Sequence, residues 1–106
     1  MIKKYKAAFI IPSGAAKELT DIGWIFDTDC FVTESIVSKL LFLFPFLKVD
    51  QNEKSVYRSE ELIIDVLYEE GNIEQIYIRD YSPFKKFISQ LSNGVGDFDG
   101  AELFIP

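Results

Sequence analysis

Hydrophobic and polar positions alternate from the start of the chain. Over residues 3–11, Tyr5, Ala7, Phe9 and Ile11 fall on one face, with Lys4 and Lys6 on the other before both sides turn apolar. This period of two predicts a first β-strand, ended by Pro12-Ser13-Gly14. Residues 15–23 place Ala15, Leu19 and Ile22 at helical spacing, with Gly23 to close them, and predict a short helix. Between 24 and 32, Trp24 and Phe26 alternate with Ile25 until Asp27-Thr28-Asp29 interrupts; strand–turn–strand and an aromatic-anchored loop both fit. Residues 34–47 read as a helix, with Thr33 as N-cap, Glu34 in the first turn where the dipole favours an anion, and Pro45 to end or kink it. Its second half, Leu40 to Phe44, is apolar all round, so it lies centrally in the core or faces a partner.

The second half of the chain is patterned as clearly, except in one stretch. Lys48 to Lys54 form a polar loop or hairpin turn, followed by a short strand at 55–58. Residues 60–70 fit two periods. As a helix, Ser59 caps, Leu62, Ile63, Val66 and Leu67 form a stripe, and Glu61, Asp65 and Glu69 line the opposite face. As a strand, the β-branched content leads through Glu70-Gly71-Asn72 into a hairpin with 73–79. Capping and acid spacing favour the helix. Residues 73–79 are a strand. A helix then starts at Ser82-Pro83, with Phe84, Phe87, Ile88 and Leu91 on one face and Asn93-Gly94 at its end. A glycine- and acid-rich loop to Gly100 and a short strand from Ala101 to Ile105 finish the chain. The expected architecture is α+β: a single small domain over 1–106, with one mostly antiparallel or mixed sheet packed with three to four helices.

Composition narrows the chemistry. The 106 residues are 48% hydrophobic, enough for one domain with a real core. The chain has no histidine, which removes Ser-His and Cys-His nucleophilic pairs and the commonest zinc sites. A single cysteine, Cys30, excludes an internal disulfide and any CxxC motif; next to the aromatic Phe31 and lacking basic neighbours, it reads as a buried small hydrophobe. The longest apolar run, Leu40 to Leu47, is far short of a membrane span and contains Pro45. With no export signal, the expected compartment is the cytoplasm, with no membrane association.

Charge says more. Residues 1–17 hold four lysines and no acid, so residues 18–106 carry a net −10. Such a body repels nucleic acid and attracts basic proteins. Three groups of residues have the composition of a partner-binding surface. Trp24, Asp27, Asp29 and Phe31 combine aromatic anchors with carboxylates. Glu61, Asp65 and Glu69 form an acid stripe without interleaved lysines. Asp97, Phe98 and Asp99 form an acidic finger with an apolar anchor. The finger fails as a calcium loop, because position 5 is Ala101 and the chain ends before position 12. Asp27 and Asp29 lack a visible third ligand, and Gly94, Gly96 and Gly100 lack the Lys-Ser/Thr of a phosphate loop. Lys3, Lys4 and Lys6 read as the solvent side of the first strand. No catalytic residue, metal site, cofactor or small-molecule substrate is expected.

The acidity, the missing histidine, the lone Cys30 and these aromatic–acid patches together resemble a small bacterial immunity protein of the contact-dependent growth inhibition type. That resemblance implies a non-enzymatic cytoplasmic protein that binds a cognate basic toxin domain, a nuclease and at a further step a ribonuclease, and occludes its active site. The physical logic is direct. A nuclease cleft is cationic, and an inhibitor can set carboxylates where phosphates would lie. The competing readings are an acidic regulator or nucleic-acid mimic on another basic protein, and a structural subunit that buries its apolar helix against a copy of itself.

Overall fold

The computed structural model of the chain describes residues 4–94 and 100–106. Its frame is a six-stranded antiparallel sheet in the order β4-β5-β6-β7-β1-β8. The strands are β1 (Lys6–Pro12), β4 (Lys48–Val49), β5 (Val56–Arg58), β6 (Leu62–Glu69), β7 (Asn72–Asp80) and β8 (Ala101–Phe104). A separate two-stranded hairpin, β2 (Ala16–Thr20) with β3 (Gly23–Asp27), makes up the rest of the β-structure, and the helices are α1 (Glu34–Leu43) and α2 (Lys86–Gly94). Among the described residues 45% are strand and 22% helix, a mostly-sheet domain with two α-helices, which overturns the expected three to four helices on a sheet.

Two sequence readings account for the difference. Residues 60–70 are not a helix but the central strand β6, hydrogen-bonded on both sides. As a strand they bury Leu62, Ile64 and Val66 on one face, and the chain reverses at Glu70-Gly71, both at positive φ (50° and 83°). This two-residue turn has the twist that antiparallel neighbours require. Residues 15–23 are likewise not a helix. They form β2 and the start of β3, paired from Ala16↔Asp27 to Thr20↔Gly23. The apparent helical spacing of Leu19 and Ile22 comes from their place at a hairpin end, where both are exposed.

One face of the sheet carries the core. Ala8 and Ile10 from β1, Leu62, Ile64 and Val66 from β6, and Ile73, Ile76 and Ile78 from β7 pack against Ile36, Val37, Leu40 and Phe44 and against Phe87, Ile88 and Leu91. Both helices therefore lie on the same side, joined where Phe44 meets Phe87 edge-on at 5.5 Å. Helix α1 stops at Leu43, with Phe44 as its C-cap, because a residue before proline avoids the helical region. Thr33 is the N-cap by position, yet its hydroxyl bonds Ser35 Oγ (2.9 Å) instead of the backbone.

The start of α2 is built differently from its sequence signature. Ser82 and Pro83 lead into a single 3₁₀ turn, Pro83–Lys85, whose Phe84 and Lys85 sit at positive φ (60° and 52°). That backbone turns Phe84 away from the core to 97% exposure, although its spacing from Phe87, Ile88 and Leu91 placed it in the apolar stripe. The N-terminal amides are satisfied by Asp80, wholly buried at the end of β7. One carboxylate oxygen accepts from Phe87 and Ile88 N–H (3.0 Å each), and the other from the Ser82 N–H (2.8 Å) and hydroxyl. The aromatic sequence around it masks this anchor.

The opposite face of the sheet is partly covered by the β2–β3 hairpin. Phe26 packs on Phe9 (5.1 Å) and on Phe104 (5.8 Å), and Trp24 meets Phe104 edge-on at 4.8 Å. Lys17 closes the contact through an ion pair with Glu102 at 2.6 Å. β1 is thus buried on both faces, which is why its apolar pattern loses its alternation after Lys6. Among the described residues, no helix is long and apolar enough to cross a membrane.

Candidate protein-binding surface

The end of the sheet holding the β6–β7 turn gathers segments that are remote in sequence. Between Leu67 and Tyr68 the β6–β7 register shifts, leaving Glu74 of β7 without a partner on β6. This bulge returns Ile73 to the core and leaves Glu74 exposed. On its other side Ile73 bridges Val32, whose N–H donates to the Ile73 carbonyl at 2.9 Å. The loop after β3 is so pinned beside the end of β7, with Asp29, Cys30 and Phe31 exposed just before the bridge. Its preceding turn is held by Thr28, whose hydroxyl accepts the Cys30 N–H at 3.1 Å. Tyr68 reaches the first turn of α1 and hydrogen-bonds the Glu34 carboxylate; burial first, and then the Glu34 charge, push its phenol pKa above the usual value.

The result is a surface of Asp29, Glu34, Glu69, Glu70 and Glu74 around the half-exposed rings of Phe31 and Tyr68. A feature of the sequence marks this end. Residues 18–38 contain five acids and residues 59–78 six, with no lysine or arginine in either segment. The Val32–Ile73 bridge joins these two base-free segments. With no counter-charge drawn from either, the surface projects a negative field toward any approaching cation. Lys4 and Lys6 lie at the other end of the strands, where Lys85 Nζ donates to the Lys4 carbonyl (3.3 Å) and Lys86 pairs with Glu61 (3.6 Å).

The three residue groups from the sequence fare differently. Of the first, Asp29 and Phe31 join the acidic end, whereas Trp24 faces the sheet with Phe26, and Asp27 points to the opposite side of the hairpin. The second is dispersed. Along a strand, Glu61 and Glu69 stand about 26 Å apart at roughly 3.3 Å per residue; Glu61 pairs with Lys86, Asp65 lies mid-strand opposite Tyr77, and Glu69 alone reaches the acidic end. The third, Asp97, Phe98 and Asp99, lies outside the described residues. Cys30 is exposed and not buried, because the loop turns it outward. Glu34, Tyr68 and Glu74 are not among the partner-binding residues that the sequence suggests, since only the bulge and the bridge bring them together.

A second apolar feature lies on α1. Ser38, Lys39, Phe42 and Leu43 line a shallow depression, and Phe42 is 86% exposed. The all-round apolar half of the helix is therefore divided, with Leu40 and Phe44 in the core and Phe42 outside it. Among the described residues, no three Asp, Glu or Cys side chains converge as a metal ion would require. Compared with known protein families, curated proteins and solved structures, the chain matches none.

Proposed function

We propose that the chain is a binding protein that captures a basic protein partner through its acidic end, and that it acts as an immunity protein against a cognate basic toxin domain, a nuclease. The observation that carries this reading is the meeting of two base-free acidic segments around Phe31 and Tyr68. Carboxylates steer a cationic cleft toward the surface, and the half-exposed rings supply the apolar contact that makes an encounter stick. Blocking a nuclease needs shape and charge but no chemistry by the inhibitor, in keeping with a chain that has no histidine.

The test is co-expression with toxin domains encoded beside the gene for this chain, followed by nuclease assay of the purified complex. Protection of the cells, with loss of nuclease activity at one-to-one stoichiometry, supports the reading. Glu34→Lys combined with Glu74→Lys abolishes protection while the fold persists. Continued killing with the chain abundant and folded, or protection unaffected by that double reversal, overturns the assignment to this surface.

A further inference from the structure

The face of the sheet away from the helices holds a cation that has no counter-ion among the described residues. Strand β7 sends Tyr77 and Arg79 to this side, with Tyr81 following in the same alternation. Arg79 stands between Ile63 of β6 and Ala7 of β1, and the small Ala7 leaves room beside it. Tyr5, just ahead of β1, packs its ring on Tyr81 at 5.1 Å, while its hydroxyl accepts a hydrogen bond from Tyr77 at 3.3 Å. It thereby spans the row from which Arg79 emerges. The guanidinium lies 5.5 Å from the centre of the Tyr77 ring. Its Nε is sealed from solvent and has no acceptor. Arg79 as a whole is half-buried, so its guanidinium is only partly withdrawn from solvent. Among the described residues, no carboxylate lies within ion-pair distance of Arg79; Asp65 shares this face, opposite Tyr77, and is also unpaired.

We propose that Arg79 and its tyrosine frame form an anion-binding site that takes a carboxylate or phosphate group end-on at the guanidinium, with the Tyr5 hydroxyl as a second donor. A half-buried guanidinium loses hydration and here recovers only ring contacts, whereas planar oxyanions match its fork geometry. Tyr77 uses its proton on Tyr5, which leaves the proton of Tyr5 for a ligand. The inference is independent of the acidic end, and in a chain of charge −6 it identifies a local site of opposite preference.

The experiment is a nuclear magnetic resonance titration of the ¹⁵N-labelled chain with inorganic phosphate and, separately, acetate, at ionic strength held constant with chloride. The chain has two arginines, and Arg58 Nε is already committed to Asp50 at 2.9 Å, so the two side-chain Nε–H signals form a site and its internal control. The expected result is a saturable shift of the Arg79 signal and of the Ala7 and Arg79 amides, with Arg58 unmoved. Tighter binding of phosphate identifies a phosphate-bearing ligand, and tighter binding of acetate a carboxylate-bearing one. Arg79→Lys keeps the charge but loses the fork and weakens the apparent affinity roughly tenfold or more, while Asp65→Asn tightens it. Shifts that stay linear in anion concentration, that affect both arginines alike, or whose amide component saturates at the same concentration in Arg79→Lys overturn the proposal; the wild-type titration decides it even where a variant fails to fold.

Discussion

Asp80 is the side chain on which most local structure depends. Its carboxylate joins β7 to α2 by accepting from two helix amides and from Ser82, all in a site closed to water. Removing it leaves buried N–H groups without acceptors, at about 1–3 kcal/mol each where no water can enter. Asp80→Ala is therefore expected to lower stability by about 2–4 kcal/mol in urea unfolding, and Asp80→Ser, which restores one acceptor, to lower it less. Glu70 presents the opposite case, a residue working against its own geometry. It occupies the left-handed region at φ 50° in a turn that favours asparagine. Glu70→Asn is expected to raise stability by about 0.5–1 kcal/mol, read as a higher denaturation midpoint. Tyr77 supplies a pH dependence. Burial, followed by its hydrogen bond to Tyr5, pushes its phenol up to about 12 from 10.0. The fold thus favours the neutral form, and the stability so gained is complete below pH 10 and is lost as pH climbs toward 12. A phenolate absorbance titration should show a tyrosine ionising near pH 12 that is absent from Tyr77→Phe.

At the scale of elements, the hairpin β2–β3 is held to the sheet by rings and one ion pair, and not by a shared ladder. Phe104 lies at the centre of that contact, against Phe9, Trp24 and Phe26. Phe104→Ala is expected to destabilise the fold by about 2–4 kcal/mol and to red-shift the emission of Trp24, the only tryptophan in the chain. An unchanged emission maximum would show that the hairpin does not need this contact. The elements also show how far the sequence could be read. Strands β1 and β7 and the region of α1 were legible because their apolar periods are long and their ends are marked by proline, glycine or a capping residue. β6 was not. Leu62, Ile63, Val66 and Leu67 suit a helical stripe, while Leu62, Ile64 and Val66 suit a strand, and both sets are present. The choice was made by pairing: a strand here fills the gap between β5 and β7 and satisfies its amides on both sides. β2 resembled a helix for a related reason, since Leu19 and Ile22 were counted as core positions although the hairpin end leaves them exposed.

For the whole molecule, the distribution of charge matters more than its sum. Two acidic segments meet at one end of the strands, while Lys4, Lys85 and Lys86 lie toward the other. Association with a basic partner should be fast at low salt and slow steeply as salt rises, because the field of the acidic end is screened within about 8–10 Å at physiological ionic strength. Stopped-flow association rates for Glu34→Lys and for Phe31→Ala separate the two contributions: the first lowers the on-rate, and the second chiefly raises the off-rate. A binding rate indifferent to salt would remove the acidic end from the mechanism.

The sequence by itself determined the acidity, the missing histidine chemistry, the start of α1 and the strand character of residues 6–11 and 73–79, whereas α1 ends at Leu43 and not at 47. These follow from composition and from short-range period, which neighbours in space do not alter. The tertiary structure decided the state of residues 62–69, the outward turn of Phe84, the burial of Asp80 and the dispersal of Glu61, Asp65 and Glu69. Each depends on a partner distant in sequence. The candidate surface shows both sides of this. Asp29, Phe31 and Glu69 carried a visible signal in their residue types, but Glu34, Tyr68 and Glu74 join them only through a bulge in β7 and the single bridge from Val32 to Ile73, and no local pattern encodes either.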